Sequence, residues 1–404
     1  MLRQALADAS CRRFFAAHAQ SCIGTGLAYV ALPLIAYDRF GSAWAVAAVL
    51  APDLLPAIVM GPVLGAVVDR VGWRTCAALA DALRAVAFVL LLFASSLPVM
   101  IAGATLAGIG TALFTPAALS GLPRLAPGER RARAMGLYGA LDDIGLTVGP
   151  ALAGLLLAAT EPSTLMAINA VTFAVSAGLI GTLAAGVPVQ RMRRPPSLLA
   201  EARAGVRELT GRADVRALLG SSTAAVLCIG VTNVGEVVLA REVLGAGGSG
   251  LAALMTAGGV GTVIGSLAAR YRSSWEWRRA YLVGLACMAA DLLGCAVLPS
   301  LWLLLPVFVL GGFGNGYALV HDRLLLSHST PEALHGRLFA LQKTCTSLAF
   351  ALSFVGASAL IAAGGVQLAF LSSGVGLLCV IAVAMPRLRA AWPTPETPGA
   401  VSPA

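Results

Sequence analysis

Apolar runs of roughly membrane-crossing length recur along the whole chain, each bounded by charged or Pro/Gly-rich breaks. A bilayer-crossing helix needs about 20 mostly apolar residues. The runs predict twelve such helices, near 13–37, 43–68, 75–95, 98–120, 135–159, 163–186, 216–239, 249–269, 280–298, 301–327, 337–362 and 367–385. One hydrophilic stretch, 187–215, interrupts the series with Arg193-Arg194-Pro195-Pro196 and then an amphipathic Glu/Arg segment. The predicted organisation is an N-terminal six-helix bundle over 1–186, a cytoplasmic linker over 187–215, a C-terminal six-helix bundle over 216–385 and a cytoplasmic tail over 386–404. The run after the first ten residues is too long, and lacks the cleavage pattern, for a signal peptide; it reads as the first span.

Composition sharpens this picture. Of 404 residues, 58% are hydrophobic and 12% charged, with a mean hydropathy of +0.85. A soluble domain carries about 25% charged residues, which argues against a water-soluble enzyme, and so apolar a chain is not disordered. The formal charge of +9 would suit a nucleic-acid partner, but its placement points elsewhere. Arg3, Arg12 and Arg13 precede the first span, Arg70 and Arg74 follow the second, and Arg124, Arg130, Arg131 and Arg133 follow the fourth. The central stretch holds Arg191, Arg193, Arg194, Arg203, Arg207, Arg212 and Arg216. Arg270, Arg272, Arg278 and Arg279 follow the eighth span, Arg337 the tenth, and Arg387 and Arg389 the twelfth. Under the positive-inside rule, 23 of the 28 basic residues then face the cytoplasm, and both termini with them. No nucleic-acid partner is expected.

The eight cysteines are scattered singly through apolar stretches without a Cys-x-x-Cys pair; they read as reduced packing residues, and no metal site is expected. His321, His328 and His335 are seven apart, not at metal-ligand spacing. The chain has no Gly-x-x-x-x-Gly-Lys-Ser/Thr phosphate loop, so neither a membrane enzyme nor direct ATP hydrolysis is supported. An offset near 200 residues pairs Gly65 and Arg70 with Gly265 and Arg270, Thr115 with Asn315, and Gly136 with Gly336. This pattern fits duplicated halves of six spans, a recurring transporter architecture.

Two motifs carry a family resemblance. The loop after the second span reads Gly65-Ala-Val-Val-Asp69-Arg70-Val-Gly72-Trp73-Arg74. It resembles the signature loop of the major facilitator superfamily, Gly-x-x-x-Asp-Arg-x-Gly-Arg-Arg, with Trp73 in place of the first closing basic residue. The fifth span carries Gly136, Gly145, Gly149-Pro150 and Ala153-Gly154, similar to the superfamily's antiporter motif. Asp81-x-x-Arg84 and the segment from Asn233 and Glu236 to Gly245 resemble the branch of bacterial multidrug and siderophore exporters. The resemblance implies an all-α membrane protein of twelve transmembrane helices in two pseudo-symmetric six-helix bundles. It also implies cavity-lining roles for the first, fourth, seventh and tenth spans.

Each motif has a physical reading. Gly65 lets the second span approach a neighbour, and Asp69 is placed to engage Arg70, Arg74 or a helix N-terminus in the other half as a breakable latch. The alternative is that Arg70 and Arg74 only satisfy the positive-inside rule. Asp81 and Arg84 are expected to pair at i,i+3 and support that loop. The glycines of the fifth span, with Pro150 interrupting the backbone ladder, are expected to form one smooth side packed on the opposite half; generic small-residue packing is the alternative.

Ionisable groups inside a membrane are functional candidates by default. Here they are Asp53, Asp81, Arg84, Asp142, Asp143, Glu236, Asp291, Asp322, Arg323 and Lys343. Asp322, Arg323 and Glu236 lie toward span ends, where snorkelling competes with function. Asp142 and Asp143 lie about 12 Å into the fifth span with no basic residue on the same face. Low dielectric disfavours the charged carboxylate, so either is a proton-coupling candidate, or pairs with an arginine of another span. Asp53 and Lys343, the single lysine, are further proton-coupling candidates; Asp53 is alternatively a structural partner and Lys343 a snorkelling one. His18, Ser21, Thr25 and Tyr29 form a polar stripe on the first span, and with Thr115, Asn233, Glu236 and Asn315 they are the cavity candidates. His18 is expected to line the entrance by hydrogen bonding.

The function expected is a secondary active exporter of a small amphipathic or lipophilic molecule, a drug, natural product or siderophore, in exchange for protons across the cytoplasmic membrane. It would work by alternating access, as a monomer, with no cofactor beyond the proton gradient. A proton-coupled uptake symporter or facilitator is the alternative, and a non-transporting membrane sensor a remote one.

Overall fold

In a computed structural model, described over residues 8–128, 130–183, 207, 211–269, 274–330 and 334–391, the chain is helical with no strand among the described residues. The helices are α1 (Ala9–Phe40), α2 (Ala43–Val71), α3 (Trp73–Phe93), α4 (Leu97–Leu125), α5 (Arg130–Leu157) and α6 (Pro162–Gly181). There follow α7 (Ala213–Val243), α8 (Gly247–Ala268), α9 (Ser274–Val297), α10 (Leu301–Ser329), α11 (335–363) and α12 (366–391). Every predicted span falls on one of them. Lipid offers the backbone no hydrogen bonds, so each crossing segment must satisfy its own. The outer faces are correspondingly apolar, with Val59, Phe93, Leu267 and Trp302 exposed by 72, 77, 80 and 78%.

The breaks between helices follow from local chemistry. Asp8 and Ser42 cap α1 and α2 by accepting from the backbone N–H of Ser10 and Trp44. Proline opens α4 and α6, where its missing N–H costs nothing. Between α11 and α12 there is no loop: Gly364 (φ −158°) and Gly365 (φ +81°) alone turn the chain. Helix α7 is interrupted at Gly230–Val231 and ends in a π turn over Leu239–Val243. Helix α12 continues past the predicted end of the twelfth span at 385, through Arg387 and Arg389. Of the linker expected at 187–215, only Arg207 and residues 211–215 are among the described residues.

Helices α1–α6 pack among themselves, as do α7–α12, and the two groups meet where α2 lies along α11, α5 along α8, and α1 touches α7. Without a hydrophobic drive between helices in lipid, close approach of small residues supplies the packing. A Cβ on Gly149 of α5 would stand 2.5 Å from Gly26 Cα of α1, and one on Gly284 of α9 would stand 2.7 Å from the Gly314 carbonyl of α10. Short connections return the chain at each end. Arg70, Arg74, Arg124 and Arg130 therefore share one end of the molecule with Arg279, Arg387 and Arg389, here called the basic end.

Candidate functional site

A cavity of about 240 Å³ lies between the two groups of helices. Helix α1 contributes Tyr29, α5 contributes Leu146 and Pro150, and α7 contributes Asn233 and Glu236. Met255, Asp291, Phe308, Asn315 and Phe350 complete it from α8, α9, α10, α10 and α11. Of the predicted cavity residues, Tyr29, Asn233, Glu236 and Asn315 are brought together here, with Tyr29 and Asn233 hydrogen-bonded. Helix α4 does not contribute: the backbone of Asp53 packs on Gly108, and Thr105 and Thr115 bond to their own helix at Ile101 and Thr111. Sequence reasoning counted Asp291 among the membrane-embedded ionisable groups but did not place it in the cavity, because α9 was not among the helices expected to line it. Asp291 lines the same cavity as Glu236, and neither carboxyl forms an ion pair among the described residues.

At the end away from the basic loops the cavity is closed. The Arg241 Nη2 of α7 donates to Asp38 Oδ2 of α1 at 2.7 Å, Tyr37 donates to Glu242, and Ser358 of α11 donates to the Ala43 carbonyl at 2.9 Å. Arg241 and Glu242 both lie in the π turn of α7.

The stripe on α1 is divided by its neighbours. Only Tyr29 reaches the cavity lining. Thr25 bonds to the Ser21 carbonyl, Ser21 to the His18 carbonyl, and His18 is buried under Tyr138, its ring stacked at 4.4 Å and 7°. The expected lining role of His18 and Ser21 is thus corrected: α5, drawn close by Gly145 and Gly149, covers that part of α1. His18 Nε2 instead faces Asp142 Oδ1 at 3.3 Å. Cys22 Sγ lies 3.5 Å from each of them. The i,i+4 pair His18 and Cys22 thus meets a third potential ligand from another helix, a convergence that spacing along the chain did not reveal.

Asp143, the adjacent residue, points the other way and pairs with Arg323 of α10, across the two groups of helices. Its Oδ1 is buried and lacks a hydrogen-bond partner among the described residues. Arg323 is therefore not simply snorkelling, nor is Asp322, which is buried and accepts from Gln342 at 2.6 Å; Glu236 likewise belongs to the cavity. Lys343 is exposed and forms no ion pair among the described residues, although its charge reaches both Asp53 and Asp143.

In the 65–74 loop, Gly72 adopts φ +101°, a conformation that favours glycine, and its N–H caps Val68. Trp73 explains the departure from the motif: it is fully buried against Phe14 and Gly121, where an arginine would be desolvated. Arg74 donates to the Leu183 carbonyl at 2.5 Å, tying α3 to the end of α6, while Asp69 and Arg70 are exposed. Gly65 does not provide the expected close approach, for nothing lies within 4 Å of a Cβ placed there. Asp81 and Arg84 pair as expected, but away from the loop: Ser176 of α6 donates to Asp81 at 2.5 Å, and the Arg84 guanidinium lies 4.5 and 4.2 Å from the ring centres of Phe114 and Phe173. The pair joins α3, α4 and α6.

The glycines of α5 do not form one side. At about 100° per residue, nine residues turn a helix halfway, so Gly145 and Gly149 face α1 while Gly154 faces α8. Gly136, on the side of Gly154, meets nothing within 4 Å. The three spaced histidines share no site: His321 bonds to the Tyr317 carbonyl, His328 packs on Trp277, and His335 bonds to Ser327 and Thr330 carbonyls.

A family model described as Major Facilitator Superfamily matches residues 14–353. The chain is 27% identical to the multidrug efflux pump Tap of Mycolicibacterium fortuitum over 91% of this chain and 93% of that one. It is 25% identical to macrolide efflux protein A of Streptococcus pyogenes, with the same coverage of 91% and 93%. An MFS-type transporter of Bacillus subtilis, YfiS, is 26% identical over 86% of each chain. Among solved structures, the nucleoside transporter NupG superposes with a TM-score of 0.72 at 10% identity, covering 95% of this chain and 100% of that one. A bacterial homologue of the human lysosomal transporter Spinster gives 0.70 at 15% identity, with 95% and 98% covered. At such identities the likeness is one of fold.

Proposed function

The chain belongs to the major facilitator superfamily, and on that premise we propose that this multi-pass transporter exports a small amphipathic or lipophilic molecule across the cytoplasmic membrane in exchange for protons. The observation that carries this reading is the cavity between the two groups of helices, closed at one end and lined by apolar side chains around Glu236 and Asp291. Two carboxyls without an ion-pair partner among the described residues favour either protons or a cationic group on the cargo. The relatives named as multidrug and macrolide efflux pumps support export. The basic asymmetry supports a cytoplasmic placement of the basic end and both termini, which makes the closed end the outer one.

In this scheme cargo enters from the cytoplasm, and rocking of the halves separates Asp38 from Arg241 and Tyr37 from Glu242. Protonation of Asp143 would release Arg323, linking proton entry to the movement of α5 past α10. A ligand shifts such an equilibrium only by its differential affinity for the two states, so cargo and proton must favour opposite ones. The proton gradient supplies the energy, and a single chain contains the whole pathway.

The test is transport in inside-out vesicles. With an acid lumen they are expected to accumulate a lipophilic cationic dye, and Asp142→Asn or Asp143→Asn is expected to weaken accumulation. Equilibration indifferent to the gradient and to both substitutions would remove proton coupling through α5. Deletion of the gene is expected to sensitise cells to a toxic compound; loss of growth on a nutrient would favour uptake instead.

A further inference from the structure

His18, Cys22 and Asp142 are the described residues whose metal-ligating atoms all lie within 4.8 Å of one another. The three separations are 3.3 Å for Nε2 to Oδ1, 3.5 Å for Nε2 to Sγ and 3.5 Å for Sγ to Oδ1. A tetrahedral zinc-class ion, with bonds of about 2.0–2.2 Å to N and O and about 2.3 Å to S, sets its ligands roughly 3.3–3.6 Å apart. The three separations match in length the edges of one face of such a tetrahedron; Cys22 Sγ also lies 3.7 Å from Nδ1, so the thiol must rotate towards the Nε2 side to share an ion with it.

The scaffold holds this face in place. His18 and Cys22 stand one turn apart on the same side of α1, and the His18 ring is clamped in a stack with Tyr138 at 4.4 Å and Phe114 at 5.8 Å. Asp142 is brought in by the close approach of α5 at Gly145 and Gly149, where an added Cβ on Gly145 would stand 2.6 Å from the Cys22 carbonyl. The Asp142 side chain is 46% exposed, so the fourth position is open to water or another ligand. Charge also fits: a divalent cation balances one thiolate and one carboxylate, and the nearby Arg84 is already neutralised by Asp81. Thiolate with imidazole selects zinc and softer ions over magnesium or calcium.

We propose that His18, Cys22 and Asp142 form a three-ligand site for a thiophilic divalent cation of the zinc class. Binding displaces the Cys22 thiol proton and fastens α1 to α5 at the residue next to Asp143, the one that reaches α10. The site does not depend on the identity of the cargo or on proton coupling, and is read without a gradient.

The experiment titrates the purified full-length protein in detergent with Co²⁺ and then Zn²⁺. One Co²⁺ per chain is expected, with thiolate-to-cobalt charge-transfer absorption that Zn²⁺ abolishes. Cys22→Ser and His18→Gln are each expected to weaken Zn²⁺ binding by about 100-fold or more, beyond the ~10–100-fold typical of an outer-shell partner. Cys379→Ser, at an exposed thiol on α12, is expected to leave it unchanged. In the unsubstituted protein, Zn²⁺ is expected to shield Cys22, and not Cys379, from maleimide labelling read by mass spectrometry. Absence of the cobalt absorption, its survival in Cys22→Ser, or equal labelling of Cys22 with and without Zn²⁺ would each overturn the proposal.

Discussion

Helices α1–α6 keep most of their membrane-embedded charges in partnerships, with Asp53 the exception among the described residues, whereas α7–α12 leave two carboxyls lining the cavity. In the first group Asp81 holds Arg84, Asp142 meets His18, and Asp143 crosses to Arg323. In the second group Glu236 and Asp291 line one cavity, and neither forms an ion pair among the described residues. Most of the cavity lining comes from this second group as well. Two halves with matching topology thus differ in how they hold charge, and under the proposed function the first provides a braced frame and a cross-link while the second meets the cargo. An unneutralised acid in low dielectric is costly; in the proposed function a proton or a cationic cargo would offset that cost.

Three comparisons of variants follow from that contrast, beginning with the largest effect. Arg84→Ala leaves a fully buried Asp81 without its cation, and breaking such a pair costs about 3–5 kcal/mol; thermal unfolding in detergent is expected to drop steeply. Asp81→Asn with Arg84→Met is expected to recover most of the loss. If the double variant is no better than the single one, the pair is not the brace described here.

Next, Glu236→Gln combined with Asp291→Asn is expected to lower transport of a cationic dye by about 30-fold, the equivalent of ~2 kcal/mol for a desolvated charged contact, with little change in unfolding temperature. The reverse outcome, stable transport and lost stability, would assign these acids to the frame and erase the contrast. The smallest effect separates two glycines on one side of α5. Gly154→Ala forces a Cβ to 2.6 Å from the Ala252 carbonyl of α8 and is expected to cost about 1 kcal/mol or more. Gly136→Ala is expected to be neutral or to stabilise by about 0.5 kcal/mol. Equal effects on unfolding would mean that α5 does not lean on α8 through this residue.

The sequence was informative about order along the chain and much less so about facing. Apolar run length located all twelve helices, and even the corner at Gly364–Gly365 falls in the gap left between the last two predicted spans. The i,i+3 relation of Asp81 and Arg84 was legible because both lie on one helix. An arginine of another span was one expected partner for Asp143, but which one was not legible, because Arg323 reaches it from α10 across the two groups of helices. His18 and Ser21 looked like cavity lining from their stripe, and only the approach of α5 shows that they are covered. Trp73 read as a departure from a motif until its pocket against Gly121 and Phe14 gave it a reason.

By itself, then, the sequence determined the membrane class, the number and order of the helices, the asymmetry of basic residues and the short inventory of buried charges. These depend on composition and spacing within single segments, which lipid enforces strictly. The tertiary structure alone decided which charge meets which, that α9 brings Asp291 to the cavity, and that a histidine, a cysteine and an aspartate from two helices converge. Those outcomes depend on helix rotation and on contacts between residues more than a hundred positions apart, and no local periodicity encodes them.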